Sequence, residues 1–104
     1  MDVFTALADP TRLKIIEMIA LRGRLSSGDI GDHFDISAPA ISQHLKVLRE
    51  AGLVIVETKG QQRIYSLNLG GVDQITGWIE RMHKMWVLSH APSPKAKIKK
   101  ARAS

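Results

Sequence analysis

The chain has 104 residues, 44% of them hydrophobic and 24% charged, the length and composition of one globular domain. It contains no cysteine, which excludes a disulfide framework, a thiolate metal site and a thiol nucleophile; no apolar run approaches the roughly 20 residues of a membrane span. The net charge is +5, but residues 1–90 hold ten Lys/Arg against ten Asp/Glu, so the whole excess lies in Lys95, Lys97, Lys99, Lys100 and Arg102.

Asp2 can cap a short helix carrying Val3, Phe4 and Leu7. Asp9-Pro10 restarts the chain as N-cap and first helical residue of a second helix. Its apolar positions Leu13, Ile15, Ile16, Ile19 and Ala20 recur at helical spacing, and Gly23 stops it. Ser26 and Asp29, three apart, begin a third helix in the manner of a capping box, predicted over about Ser27 to His33 with Ile30 and Phe34 as its apolar contacts. A tight link, Asp35-Ile36-Ser37, leads to a fourth helix over about Ala38 to Ala51. Gly52 ends it.

The period then changes from helix to strand. LVIVET and QRIYSLN, joined through Lys59-Gly60-Gln61, form a β-hairpin. After Gly70-Gly71 a long helix begins. Val72, Ile75, Ile79, Met82 and Trp86 recur three and four apart as a heptad-like seam, which Trp78 and Met85 widen. Pro92 ends it. Residues 92–104 carry two prolines and no acid, so they read as a basic, disordered tail beyond a folded domain of residues 1–91. For the tail, a non-specific phosphate grip and a solvated extension both stay open.

Helix, tight turn and helix followed by a two-stranded ribbon describe a winged helix-turn-helix, mostly α with a β-hairpin wing. The fourth helix carries the chemistry. With Ile41, Leu45 and Leu48 on one stripe, its far face holds Pro39, Gln43, Lys46 and Glu50, with Ser42 at the edge. Ala38 and Ala40 keep its first turn slim, and Pro39 stiffens the entry where no N–H partner is needed. A slim helix start with short hydrogen-bonding groups suits a DNA major groove. There Gln43 and Ser42 reach base edges, Ser37 and the free N–H groups meet phosphate, and Lys46 and Arg49 follow the backbone. A plain solvated amphipathic helix is the competing reading of this helix alone.

The runs LADPTRLKII, SAPAISQHLKVLREAGLV and GQQRIYSL closely resemble the ArsR family of bacterial winged-helix repressors over about residues 3–90. The resemblance implies a homodimer that binds an imperfect palindrome near a promoter. It also places Ala38, Pro39, Ser42, Gln43 and His44 on recognition-helix positions, and Gly60, Arg63 and Tyr65 on the wing. Many relatives carry arginines directly after the wing glycine; here Gln61 and Gln62 stand there, leaving Lys59 and Arg63 as the wing's cations. The expected subunit interface uses the terminal helices: Val3, Phe4 and Leu7 with Val72, Ile75, Trp78, Ile79, Met82, Met85 and Trp86.

Part of that family senses metals, and both of its ligand patterns are lost here. The cysteine positions of the E-L-C-x-C-D-L motif hold Ser26 and Gly28. The D-x-H motif would need histidine where Ile75 stands, and its distal ligands fall on Trp86 and Ser89. His83 and His90 lie two turns apart, too far to share an ion within one chain; a site between subunits stays open beside the solvated reading. His33 reads as a surface residue. No phosphate loop, nucleophile–base pair or paired carboxylates appear. The sequence-based expectation is therefore a cytoplasmic regulator that is not an enzyme and has no cofactor. Its partners are double-stranded DNA and a second copy of itself, without a membrane, and the residues name no small-molecule effector. The alternative is a winged-helix interaction module that does not read DNA.

Overall fold

The computed structural model describes residues 1–90; the basic segment expected to form a tail lies outside the described residues. Five helices and three strands follow in the order α1 (Val3–Leu7), α2 (Pro10–Arg22), β1 (Leu25–Ser26), α3 (Ser27–Gly31), α4 (Ala38–Glu50), β2 (Val54–Lys59), β3 (Gln62–Leu67) and α5 (Leu69–His90). This is the winged helix-turn-helix that the sequence predicts, with α3 and α4 as the helix pair and β2–β3 as the wing.

Local chemistry accounts for the helix starts. Asp2, Asp9, Ser26 and Ser37 each accept, through the side chain, the N–H three residues on, which satisfies a donor that the first turn leaves free. Proline follows in the first turn of α2 and of α4. α3 stops at Gly31, two residues short of the expected His33. The N–H groups of His33 and Phe34 reach back only three residues, to Ile30 and Gly31, and this tighter winding closes the helix. α5 begins at Leu69, before Gly70-Gly71 rather than after them as expected, because the Asn68 carbonyl accepts the N–H of Gly71 at 3.1 Å and of Val72 at 3.3 Å.

The wing pairs in antiparallel register from Val54 opposite Leu67 to Lys59 opposite Gln62. Gly60 and Gln61 make the two-residue turn. Gly60 has φ 61° and, among the described residues, no non-glycine residue has positive φ, the pattern of a type II′ hairpin turn. A third strand has no counterpart in the sequence pattern. β1 pairs its Leu25 with Tyr65 and its Ser26 with Ile64, so the sheet order is β1-β3-β2.

The core lies between the helices and the sheet. Ile15 and Ile19 of α2, Ile30 of α3, and Leu45 and Leu48 of α4 are essentially fully buried, with Leu53 and Val54 of the β2 entry. Ile15 and Ile19, one turn apart, take the core positions of α2, whereas Leu13 and Ala20, expected to share them, face solvent. Among the described residues no helix is long and apolar enough to cross a membrane.

Candidate nucleic-acid interface

α4 buries Ile41, Leu45 and Leu48 and leaves Ser37, Ala38, Pro39, Ser42, Gln43, Lys46 and Arg49 exposed. β3 lies beside it. Together they form an open groove lined by Ser27, Pro39, Ser42, Gln43, Leu45, Lys46, Arg49, Arg63 and Tyr65. The groove gathers most of the expected helix residues and one wing cation onto a single surface. Among the described residues, no carboxylate lies within ion-pair distance of Lys46, Arg49 or Arg63. Three uncompensated cations therefore flank the hydroxyl of Ser42 and the amide of Gln43. Cations of this kind neutralise phosphates without reading sequence, while an amide can make a bidentate pair with a base edge.

Other expected site residues fall elsewhere. His44 is turned from the groove towards α2. Its Nδ1 lies 3.4 Å from Arg12 Nη1 and 3.9 Å from Asp9 Oδ2. It sits one position past Gln43, so the helix carries it round to the flank that packs on α2. Tyr65, expected as a wing contact, is a core residue only 4% exposed. It faces inwards because β3 is covered on that side by the helices, and it meets the groove only as part of its wall. Lys59 borders a separate hollow with Arg24, Asp29 and Ile64. Its Nζ is 3.9 Å from Glu57, whose other carboxylate oxygen is 3.4 Å from Arg24. Glu57 thus offsets two cations, Lys59 on the wing and Arg24 beside it. Gln61 and Gln62 are exposed at the hairpin tip. Ser37 spends its hydroxyl on the cap, accepting the Ala40 N–H at 3.2 Å, and Ala38 borders a second hollow beside α3. Ser27 joins the site only in the folded chain. It lines both hollows, and nothing in its sequence context separates it from an ordinary first-turn serine.

Arg12 ties α1, α2 and α4 together: its Nε donates to the Ala6 carbonyl at 2.7 Å, beside the His44 contact. Asp9 begins α2, accepting the Arg12 N–H at 3.0 Å. That hydrogen bond holds the Asp9 carboxyl below its ordinary 3.8, helped by the charges of His44 and Arg12 against the opposing effect of burial. Because the folded value is lowered, the stabilisation is complete above pH 3.8 and lost as pH falls through the lowered value. Asp9→Ala is expected to cost about 0.5–2 kcal/mol of stability, measurable as a shifted denaturant midpoint at neutral pH. The gap between variant and wild type should narrow in acid.

The metal-sensing positions serve other ends. Ser26 is nearly buried and its Oγ accepts the Asp29 N–H at 3.0 Å, capping α3. A hydroxyl in that role is a poor donor to a soft metal ion, and Gly28 has no side chain to offer. Among the described residues, no group of three or more His, Asp or Glu side chains could hold an ion. These residues do not fit the thiolate site.

The terminal helices leave an apolar face open. Phe4 meets Trp78 edge to face, ring centroids 5.6 Å apart, and both remain exposed together with Ile79, Met82, Met85 and Trp86. Leu7 and Ile75 are partly covered against the core, and Val72 is half-buried. Val3, expected on the subunit surface, is only 1% exposed. α1 packs on both α2 and α4, so its Val3 face is consumed within the single chain.

Residues 9–56 match the model of the bacterial regulatory protein, arsR family. The transcriptional repressor SdpR of Bacillus subtilis is 41% identical over 78 residues, 75% of this chain and 86% of that protein. This chain belongs to the ArsR family. It is a DNA-binding transcriptional regulator. The HTH-type transcriptional regulator Rv2034 of Mycobacterium tuberculosis is also 41% identical, over 73% of this chain and 70% of its own. Among solved structures, a possible transcriptional regulator for arsenical resistance is 34% identical with a TM-score of 0.72, covering 83% of this chain and 85% of that one. The ArsR fold therefore extends past the matched helix-turn-helix segment into the wing and α5.

Proposed function

We propose that this ArsR-family chain is a cytoplasmic repressor that binds an inverted-repeat operator as a homodimer. Each α4 enters the major groove, with Gln43 and Ser42 against base edges and Lys46, Arg49 and Arg63 against phosphate. The observation that carries this reading is the groove between α4 and β3, where three cations without acidic partners flank an amide and a hydroxyl. The open apolar face of α1 and α5 supports the dimer, since a monomer rarely leaves so contiguous a patch in water. The repressor sense follows SdpR, whose name describes a transcriptional repressor.

Selection of bound fragments from the source genome, under excess competitor DNA, tests this. The expected result is enrichment of a few inverted repeats whose half-sites lie about 10–10.5 base pairs apart, centre to centre. Adding the protein to a transcription reaction on such a fragment should lower the transcript. Uniform loss of all DNA to competitor would instead support the interaction-module alternative.

A further inference from the structure

The first turn of α5 presses backbone to backbone on the stop of α4. Gly52 follows the recognition helix with φ 82°, and its carbonyl oxygen accepts Asn68 Nδ2 at 2.9 Å. The Asn68 N–H donates to the Leu53 carbonyl at 2.9 Å, while its own carbonyl accepts the N–H groups of Gly71 and Val72 in the first turn of α5. One asparagine thus holds the end of α4 with its side chain and starts α5 with its backbone. Gly71 occupies the seat. A Cβ there would stand 2.1 Å from the Gly52 oxygen and 3.2 Å from Leu53 Cα. Both neighbours are backbone and cannot swing aside. The partners are 15 to 19 residues apart, across the whole hairpin, so no local rule of helix or turn demands the contact. Apart from this joint, the main neighbour of α5 is α1.

We infer that Asn68 and Gly71 are positioning residues for DNA recognition: they set the angle at which α5 carries α4, and through it the half-site spacing that the protein accepts. This rests on the homodimer through α5 proposed above. In such a dimer the two recognition helices are separated by two copies of this joint. Any side chain at residue 71 must push the α5 start away by at least about 0.9 Å to reach even a 3.0 Å contact. α5 is rigid over roughly 33 Å at 1.5 Å per residue, so a tilt at its first turn moves the whole dimer seam relative to α4. Half-sites on DNA are fixed in steps of one base pair, and a pair of misplaced helices cannot both engage.

The test uses the full chain, Gly71→Ala and Asn68→Ala. The probes are synthetic duplexes carrying the selected half-site, either singly or as inverted repeats at centre spacings of about 8 to 13 base pairs. Wild type should show one sharp optimum. In the variants the optimum should move or flatten, the preference for the wild-type spacing over its neighbours falling about tenfold, while affinity for the single half-site stays level. A joint that serves stability alone would lower affinity at every spacing in proportion and keep the profile's shape; that result overturns the inference. Asn68→Ala adds no atoms, so it carries the test if Gly71→Ala does not fold, with circular dichroism and sedimentation confirming folded dimers. A wild type indifferent to spacing would overturn the dimer reading itself, and this inference with it.

Discussion

Trp78→Arg is expected to yield monomers at micromolar concentration that no longer hold an inverted-repeat operator. Trp78 is 45% exposed in the single chain and sits mid-way along the apolar face of α5. A guanidinium placed there would be buried without a partner when two copies meet, at a cost of about 3–5 kcal/mol. Each monomer would then bind one half-site alone. Losing the linkage between half-sites should weaken operator binding by about 10²- to 10⁴-fold. Trp78 also touches Phe4, so its loss loosens α1 in the monomer as well. Met85→Arg separates the two effects, because Met85 is 58% exposed and belongs to no part of the core. Sedimentation velocity and operator binding should change together for both variants, while thermal stability falls mainly for Trp78→Arg. A Met85→Arg protein that still sediments as a dimer would place the subunit contact elsewhere.

Gln43→Ala should cost about 1–3 kcal/mol on the selected operator and relax discrimination at one base position in each half-site. Gln43 is exposed on the groove wall, one turn before Val47 and beside Ser42 and Lys46. Its amide can donate and accept towards one base edge, and a methyl cannot. Arg63→Ala is expected to act differently. Its charge would meet phosphate, so all sequences should weaken alike, and the slope of log affinity against log salt should fall by about 0.9 for each phosphate left without its cation. Competition with single-base operator variants across a salt series distinguishes the two. Equal losses for Gln43→Ala on cognate and random DNA would place that amide away from base edges.

Most of the architecture is legible in the order of residues alone. The four caps at Asp2, Asp9, Ser26 and Ser37, the stripe Ile41-Leu45-Leu48 and the alternating hairpin are each written within a few residues of where they act. Hydrogen bonds from a side chain to the N–H three residues on, and side chains spaced by one helical turn, need no knowledge of the rest of the chain. The exposed polar face of α4, proposed to read DNA, is legible for the same reason: once Ile41 is inside, the helical period puts Gln43 and Lys46 outside.

Tertiary structure decided the remainder. Leu25-Ser26 carries too little pattern to announce a strand; the open edge of β3 makes it one. Val3 and Phe4 are neighbours of equal promise in sequence, yet α1 lies across α2 and α4 so that the first is sealed and the second is left open. Tyr65 is drawn into the core, and His44 is drawn to Asp9 and Arg12 across more than thirty residues of chain. Gly71 reads as part of the link before the last helix until Gly52 is seen against it. In each case the contact joins residues that only the path of the backbone brings together. Burial depends on which surfaces meet, whereas a periodic pattern fixes only which side chains share a face.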